Sequence, residues 1–515
     1  MQFVSDPSIA RKIQKMQARV RWQDSLCHLR NIDQTRLIID DGQAEDSEFS
    51  FLVVGDSGSG FHRGDSPQRR IAQSMMAEGS DCRFVLHTGD VIYLVGSSEQ
   101  YFENFIKPYR EYLVGGDRPE EICYDRMVFK RPFLPVPGNH DYYDLPLILG
   151  VISQATLPLR YLLRSQLDID VGWHGSYSGD AYARAFLDYL KDKNPQQLEQ
   201  HLARHYGGDQ RGSCLRYQPG QFTRLPNRYY RFRYGGIDFF ALDSNTFNSP
   251  EPIPAGQSGT RRRRQLEQQR TALEQDQLRL LGKASRSVAT PGDRDQLHDL
   301  YAKAEQLSEQ IRDIDKQLAA ATHHDVDHAQ LRWLKQELVV SWGDPDARGR
   351  ILFFHHPPYV TEATKWDQGQ TLAIRYHLQQ VFDAVDRAIA PRPQNHPLVD
   401  LVLNGHAHCL EHLQTQDTGH ADSYLNWIVC GGSGFSLRRQ RPEGPALIQD
   451  ERILAKSLRF VGRSGHGSEK RRPYSYLRID VAPGSPPPLT VRPFIVELFQ
   501  KQWRHEALPP FSLTR

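Results

Sequence analysis

Short apolar runs of strand length recur along the chain. They are rich in β-branched and aromatic residues, which is typical of strands buried on both faces of a sheet. Five runs end in clusters of polar residues: Phe49–Gly55, Arg83–Thr88, Pro132–Pro137, Arg350–Phe354 and Leu401–Asn404. Another strand is predicted over Trp427–Cys430, and the Gly235-Gly236 pair between two further runs predicts a β-hairpin. The pattern therefore predicts an α/β fold.

A helical periodicity replaces the strand pattern over residues 256–323. Apolar residues alternate by three and four positions, as in an a/d coiled-coil seam: Leu297, Leu300, Ala304, Leu307, Ile311, Ile314 and Leu318. Leu266, Leu273 and Leu280 precede this seam, and Ser287–Asp293 contains a Pro-Gly turn signal. We predict a helical hairpin that projects from the core. Its outer face is either simply solvated, which is the favoured interpretation, or docks a protein partner or a second subunit.

The remaining boundaries follow from changes in composition. Residues 1–45 are polar and are predicted to form a helical leader, and residues 145–225 are interpreted as an insertion of mixed helix and loop near the active site. The core would then comprise residues 46–144, 226–255 and 324–515, the last including a C-terminal segment, with the hairpin inserted at 256–323.

Charge and cysteine content exclude several classes of protein. The 515 residues include 64 Lys and Arg against 62 Asp and Glu, so the net charge of +2 gives no reason to expect nucleic acid or an anionic membrane as partner. The 6 cysteines form no C-x-x-C pair, which argues against a disulfide scaffold and a zinc ribbon. No apolar signal segment opens the chain, and polar residues and prolines interrupt Leu145–Leu163, its most membrane-like stretch. We expect a cytoplasmic protein.

Side chains suited to metal chemistry follow the five strands. They lie in Gly55-Asp56-Ser57-Gly58, Gly89-Asp90-Val91-Ile92-Tyr93, Gly138-Asn139-His140-Asp141, His355-His356-Pro357 and Gly405-His406-Ala407-His408. Ligands of open α/β sheets bind beyond the carboxyl ends of the strands, so these clusters can converge. Their oxygen and imidazole donors, without thiolate, suit iron, manganese or zinc. The donors are too many for one ion but suit two ions that share a carboxylate.

The five clusters, in this order, resemble the calcineurin-like metallophosphoesterase superfamily and, within it, the purple acid phosphatase branch. The blocks D-x-G, G-D-x-x-Y, G-N-H-[DE] and G-H-x-H stand unaltered at Asp56–Gly58, Gly89–Tyr93, Gly138–Asp141 and Gly405–His408. The remaining block, V-x-x-H, is altered, with Ile351 or Leu352 near the valine position and His355 as the expected ligand. The resemblance implies a two-sheet αββα sandwich that carries the helical hairpin as an insertion.

The resemblance also implies which residues hold two metal ions. Site 1 would use Asp56, Asp90, Tyr93 and His408, and site 2 would use Asp90 as a bridge with Asn139, His355 and His406. Most of the superfamily has a ligand histidine where Gly58 stands, and Tyr93 restores the number of ligands. Two carboxylates and a phenolate at site 1 suit Fe(III), whereas the more neutral donors of site 2 suit Zn, Mn or Fe(II).

The implied catalytic residues are His140 and Asp141. His140 would orient the phosphate or protonate the leaving group, and Asp141 would orient His140. His356, next to the expected ligand His355, either faces substrate or packs in the core. Lys365 is a further candidate for substrate contact, since many purple acid phosphatases carry another histidine near its position.

The implied reaction is hydrolysis of a phosphate ester by in-line attack of a metal-bound hydroxide. A monoester of a small molecule or of a phosphoprotein is the first expectation for the substrate. The alternatives are a Mn or Zn phosphodiesterase or nucleotidase, and a coiled-coil scaffold whose metal site is vestigial.

Overall fold

Two β-sheets and flanking helices form the described part of the chain. The computed structural model describes residues 4–58, 66–144, 175–209, 212–287, 294–320, 325–391, 396–466, 469–500 and 502–513. Its strands are β1 (Ile32–Ile39), β2 (Phe49–Val54), β3 (Val85–His87), β4 (Phe133–Pro135), β5 (Tyr206–Asp209), β6 (Gly212–Tyr217), β7 (Tyr230–Tyr234), β8 (Ile237–Ala241), β9 (Gly349–Phe353), β10 (Leu401–Asn404), β11 (Leu410–Thr415), β12 (Asn426–Cys430), β13 (Ala446–Gln449), β14 (Arg452–Val461), β15 (Pro473–Val481), β16 (Leu489–Phe499), β17 (Gln502–Ala507) and β18 (Phe511–Ser512).

The helices of the described residues lie between these strands. They are α1 (Ile9–Arg19), α2 (Ser25–Leu29), α3 (Pro67–Glu78), α4 (Asn139–Tyr142), α5 (Asp180–Phe186), α6 (Pro195–His205), α7 (Gln257–Ser287), α8 (Arg294–Ala319), α9 (His328–Gly343) and α10 (Gly369–Ile389). Short 3₁₀ or π turns occupy Ser98–Gln100, Phe102–Ile106, Arg110–Tyr112, Pro119–Glu121, Tyr124–Arg126 and Ser244–Thr246.

The two sheets face each other across an aromatic core. The larger sheet has the order β13-β14-β11-β12-β10-β9-β8-β7-β1-β6-β5, and the smaller has the order β17-β16-β15-β2-β3-β4, with β18 paired to β16. The rings of Phe51 and Phe84 lie 5.6 Å and 5.4 Å from that of Phe239 on the facing sheet. These rings belong to one buried cluster. The predicted two-sheet α/β sandwich is thereby confirmed.

Helices α9 and α10 cover the outer face of the larger sheet. Leu334 of α9 and Ile374 of α10 join Phe240 and Leu352 of the sheet in a second buried cluster. The central strands β8, β9 and β10 are therefore covered on both faces, with each of their residues buried. This double burial explains their near-continuous apolar sequences.

The carboxyl ends of five parallel strands meet at one edge of the sandwich. Strands β2, β3 and β4 pair in parallel in the smaller sheet, and β9 and β10 do so in the larger sheet. The amide of His406 donates to Asp56 Oδ2 at 2.8 Å, which joins the two sheets at this edge. The fold thus brings the polar clusters of distant segments together.

The N-terminal segment departs from the predicted helical leader over residues 1–45. Helices α1 and α2 occupy its first part, but Ile32–Ile39 forms β1. This strand pairs in parallel with β6 and β7 inside the larger sheet. The expectation of a purely helical leader does not hold, because pairing with distant strands overrides the polar local composition.

The segment 145–225 also contributes strands to the larger sheet, which was not expected. Residues 145–174, which include Leu145–Leu163, lie outside the described residues. The described remainder contains α5 and α6, but also β5 and β6 at the end of the larger sheet. This part therefore extends the core sheet instead of forming only helix and loop.

The predicted helical hairpin is present as α7 and α8. Gln277 Nε2 of α7 donates to the carbonyl of Ala304 on α8 at 3.2 Å, and Arg270 pairs with Asp315 at 2.6 Å. The predicted turn within Ser287–Asp293 falls mainly on residues 288–293, which lie outside the described residues. The hairpin does not project freely, because the face of α8 away from α7 packs on the core.

No helix within the described ranges combines the length and the apolar character needed to cross a bilayer.

Truncation of Phe84 tests the packing between the sheets. The ring is fully buried and lies 5.0 Å from Phe51 and 5.7 Å from Phe232. Phe84→Ala leaves a cavity between the sheets, so we expect it to lower the free energy of unfolding by about 3–5 kcal/mol. Urea unfolding followed by tryptophan fluorescence measures this loss. The control Ile448→Ala, at a side chain that is 60% exposed, should change stability by less than about 0.5 kcal/mol, and equal effects would contradict the packing.

Candidate metal centre

Three of the predicted ligands stand in tight turns just beyond their strands. The backbone φ angle is 51° at Asp56, 54° at Asp90 and 64° at His406. Residues other than glycine rarely adopt this left-handed conformation, and where they keep it the position is often functional. The turns aim all three side chains inward at the edge where the sheets meet.

Tyr93 is the centre of the first set of donor atoms. Its hydroxyl oxygen lies 3.0 Å from Asp56 Oδ1, 2.8 Å from Asp90 Oδ2 and 3.0 Å from His408 Nε2. His408 Nε2 lies 3.6 Å from Asp56 Oδ1. Ligands at about 2.0–2.2 Å from a shared ion lie roughly 3 Å apart. These four donor atoms therefore have the spacing of one metal-ligand shell.

Glycine at position 58 is needed for this arrangement. A Cβ atom there would lie 2.8 Å from backbone atoms of both Ile92 and Tyr93. No side chain fits at position 58 unless the loop that carries Tyr93 moves. The close approach is consistent with the predicted exchange, in which Tyr93 supplies the donor that a residue at position 58 does not.

The electrostatics of the first set favour a cation. Burial and the Asp90 carboxylate raise the pKa of Asp56 to about 8, against the opposing effect of His355. Burial and the two carboxylates raise the pKa of the Tyr93 phenol well above its usual range. Burial lowers the pKa of His408, which keeps its imidazole neutral. Acidic oxygens held together away from water require positive charge, so these residues fit a metal ion.

A second set of donors lies on the other side of Asp90. His355 Nε2 lies 2.9 Å from Asn139 Oδ1 and 3.3 Å from Asp90 Oδ2. Ligand atoms of His355 and His406 lie within 4.8 Å of each other. Asp90 Oδ2 therefore touches both sets, which is the position required of a bridging carboxylate.

His355 is oriented in the manner of a metal ligand. Its Nδ1 donates to the carbonyl of Thr88 at 2.9 Å, which leaves Nε2 facing Asn139 and Asp90. A hydrogen bond from the second ring nitrogen to a carbonyl commonly fixes ligand histidines. Burial alone lowers the pKa of His355, but Asp90 outweighs it and the pKa rises to about 9. Asp90 thus attracts positive charge between the two sets.

Asp141 does not orient His140 as predicted. Its Oδ2 accepts hydrogen bonds from the amides of Gly138 at 2.9 Å and Asp90 at 3.1 Å. The prediction is wrong because the short helix α4 turns the carboxylate back toward these amides. Asp141 therefore links the two loops that position Asp90 and Asn139.

His140 is held by other groups. Its Nδ1 donates to the carbonyl of Leu94 at 2.6 Å, and its ring lies 4.1 Å from that of Tyr93. Its Nε2 lies 3.8 Å from Glu309 Oε1 of α8, too far for a hydrogen bond. His140 thus stands beside the first set of donors with Nε2 turned toward the hairpin.

The two weaker substrate candidates occupy different environments. His356 is buried beside His355 and His406, and its Nδ1 forms a 2.8 Å hydrogen bond with Ser244 Oγ. Lys365 is also buried, and its Nζ lies 2.7 Å from Glu309 Oε2. The structure therefore places both near the donor sets, with Lys365 paired to the hairpin.

Sequence reasoning missed the contribution of α8 and α10 to this centre. Gln370 Nε2, at the start of α10, lies 3.2 Å from His406 Nε2, and Glu309 approaches both His140 and Lys365. A signal for α8 exists in the sequence. Charged residues spaced by four, three and four positions follow the face opposite the apolar seam: Glu305, Glu309, Arg312 and Lys316.

Comparisons with known proteins give distant structural similarities. No known family profile matches this chain, and no curated protein matches its sequence. A purple acid phosphatase, PPD1, isolated from yellow lupin (Lupinus luteus) seeds has a TM-score of 0.43 and 10% identity, over 91% of this chain and 54% of that chain. GAP50, the anchor in the inner membrane complex of Plasmodium, has a TM-score of 0.37 and 12% identity, over 90% of this chain and 88% of that chain. This chain thus spans about half the length of the lupin protein.

Replacement of Asp90 tests whether the two donor sets bind metal. Adding Mn²⁺ or Zn²⁺ to chelator-treated protein should raise Tm, because an ion at 100 times its Kd stabilises the native state by about 2.7 kcal/mol. Asp90→Asn removes the carboxylate common to both sets and should abolish most of this rise. Differential scanning calorimetry, with metal content measured in parallel, gives the result. Asp192→Asn, at a side chain that is 64% exposed, should keep the full rise, and the same rise in both variants would contradict the assignment.

Proposed function

We propose that this protein is a dinuclear-metal phosphoesterase that hydrolyses phosphate monoesters. The observation that carries the proposal is the convergence of seven buried donor side chains, with the Asp90 carboxylate shared by both sets: Asp56, Asp90, Tyr93, Asn139, His355, His406 and His408. Two cations bound there would neutralise charge on phosphoryl oxygens and favour deprotonation of water, which is the chemistry of two-metal hydrolases.

The two donor sets suit different ions. Asp56, Asp90 and Tyr93 provide acidic oxygens for a trivalent ion, and we propose Fe(III) for this set. Asn139, His355 and His406 bring no negative charge when they bind a metal, and Zn, Mn or Fe(II) is proposed for this set. The phenol of Tyr93 contacts both carboxylates, which makes it the group whose ionisation depends most on a cation.

His140 is the residue proposed to protonate the leaving oxygen. Its Nδ1–H is committed to the carbonyl of Leu94, so Nε2 is the atom that remains to contact substrate. A proton held on Nε2 can be given to the departing alkoxide. The peptide amide of His140 donates to Asp90 Oδ1 at 2.8 Å, which fixes the ring relative to the bridging carboxylate.

Hydrolysis of p-nitrophenyl phosphate tests the proposed activity. We expect turnover that chelation removes and added metal restores. Asn139→Ala deletes a ligand of the second set and should lower kcat/KM about 100-fold, equivalent to about 2.7 kcal/mol of transition-state stabilisation. Gln275→Ala, on the exposed surface of the hairpin, should leave the rate unchanged. Faster hydrolysis of bis(p-nitrophenyl) phosphate would contradict the monoester preference. If neither compound were hydrolysed in a metal-dependent way, the result would favour a coiled-coil scaffold with a vestigial metal site.

Colour tests the assignment of Fe(III) to the set that contains Tyr93. A tyrosine bound to Fe(III) gives a charge-transfer band in the visible spectrum, so iron-loaded protein should be coloured. Tyr93→Phe should abolish the band. Tyr143→Phe is the matched control. The ring of Tyr143 also lies beside His140, at 4.9 Å, but among the described residues it is Tyr93 whose hydroxyl contacts the carboxylates of Asp56 and Asp90. A band that survives Tyr93→Phe would show that another group binds the iron.

A further inference from the structure

Helix α8 of the hairpin lies across the candidate metal centre. Asp313 of α8 accepts hydrogen bonds from the amides of Gly369 at 2.9 Å and Gln370 at 3.1 Å. These amides belong to the first turn of α10, whose orphan donors need such an acceptor. The cap of α10, whose Gln370 contacts His406, is therefore supplied by the hairpin.

Further polar contacts hold α8 in this position. Lys316 Nζ pairs with Asp6 at 2.7 Å, and Asp6 also pairs with the buried Lys12 at 2.7 Å. Arg312 lies over the ring of Tyr143 at 5.1 Å. The contacts named here are charged or polar, so separating this face of α8 from the core would expose groups that water can solvate.

Glu309 of α8 contacts core residues beside the candidate metal centre, and Glu305 of the same helix lies within 4.8 Å of the same His140. The side chain of Glu309 is 6% exposed, with Oε2 at 2.7 Å from Lys365 Nζ and Oε1 at 3.8 Å from His140 Nε2. Although burial raises the pKa of Glu309, Lys365 and His140 lower it well below its usual range. Glu309 therefore places an ionised carboxylate beside the group assigned to the leaving oxygen.

Arg438 adds a cation whose donors are only partly used, since its Nη1 donates to the carbonyl of Ser436 at 3.3 Å. Its amide donates to the carbonyl of His408 at 2.9 Å, and its positive charge helps to lower the pKa values of His408 and Glu309. The residue is 5% exposed, and its Nε and Nη2 have no hydrogen-bond partner among the described residues. A buried guanidinium with open N–H groups is a strong recognition element for carboxylate or phosphate oxygens.

The donors and the acceptor come from different parts of the chain. His140, Lys365 and Arg438 belong to the core, whereas Glu309 belongs to the hairpin. A carboxylate and a phosphate monoester present the same kind of anionic oxygens to such donors. Glu309 therefore offers Lys365 the same kind of oxygen atoms that an anionic ligand would offer.

We propose that Lys365 and Arg438, with His140, form the site that receives the anionic oxygens of a phosphorylated substrate, and that Glu309 occupies this site until the substrate displaces it. This inference rests on the proposed phosphoesterase function for the identity of the ligand. The hairpin then competes with substrate: binding requires Glu309 to leave, and the polar face of α8 makes that separation possible. Substrates with enough negative charge to displace the carboxylate are selected over neutral or weakly charged esters.

The test compares the affinity of metal-loaded variants for inorganic phosphate by titration calorimetry. Glu309→Gln removes the competing charge and frees Lys365, so it should bind phosphate about tenfold more tightly than the wild type. Glu267→Gln, the same substitution at an exposed position of α7, should leave the affinity unchanged. Adding Lys365→Gln to Glu309→Gln should abolish the gain, because the freed cation is then absent.

Hydrogen exchange of the unaltered protein provides a readout that does not depend on a variant folding. Saturating phosphate should speed amide exchange in α8, because displacement of Glu309 loosens the helix from the core. Slower or unchanged exchange, or phosphate affinity that is equal in Glu309→Gln and Glu267→Gln, would overturn the proposal. Tighter phosphate binding in Glu309→Gln without turnover of any ester would keep the anion site and reject the phosphoesterase function.

Discussion

The burial of two carboxylates and a phenol within hydrogen-bond distance of one another is the constraint on which this structure depends. Asp56, Asp90 and Tyr93 are each at most 1% exposed, and the phenol contacts both carboxylates. Such a group of acidic oxygens is costly unless a cation or a proton compensates it. The raised pKa values of Asp56 and Tyr93 express this cost, and His406 and His408, whose pKa values burial lowers, offer further donors for a metal.

The arrangement of strands in the two sheets makes this burial possible. Parallel strands of the two sheets end at the same edge, so Asp56 and Asp90 come from one sheet and His355 and His406 from the other. The hydrogen bond from the His406 amide to Asp56 joins the two halves, and Asp141 anchors the amides of the Asp90 and Asn139 loops. The precision of the centre therefore comes from strand ends and backbone hydrogen bonds, which are more rigid than long surface loops.

Local features of the sequence were sufficient to predict the strands that precede the candidate donors, and the family resemblance supplied the assignment of those donors to two sets. Each strand that carries a ligand is a short apolar run followed at once by a turn and a polar residue, as in Phe49–Val54 before Asp56. What the sequence did not reveal depends on contacts between distant segments. The strand Ile32–Ile39 lies among polar residues and is specified by its pairing with β6 and β7, and the acceptor role of Asp141 depends on amides about fifty residues away.

The hairpin shows why an apolar seam describes only half of a helix. The seam residues Ile311 and Ile314 explain why α7 and α8 associate, but the opposite face of α8 carries charges that are also buried. Charges are buried only when partners are present, and here Lys365, Asp6 and the first amides of α10 are those partners. A periodic line of charges opposite a coiled-coil seam can thus indicate a second surface that docks on polar groups. Such a surface loses little free energy when water replaces its partners, because the charges are solvated again. A charged face therefore suits an element that moves better than it suits a fixed wall of the fold.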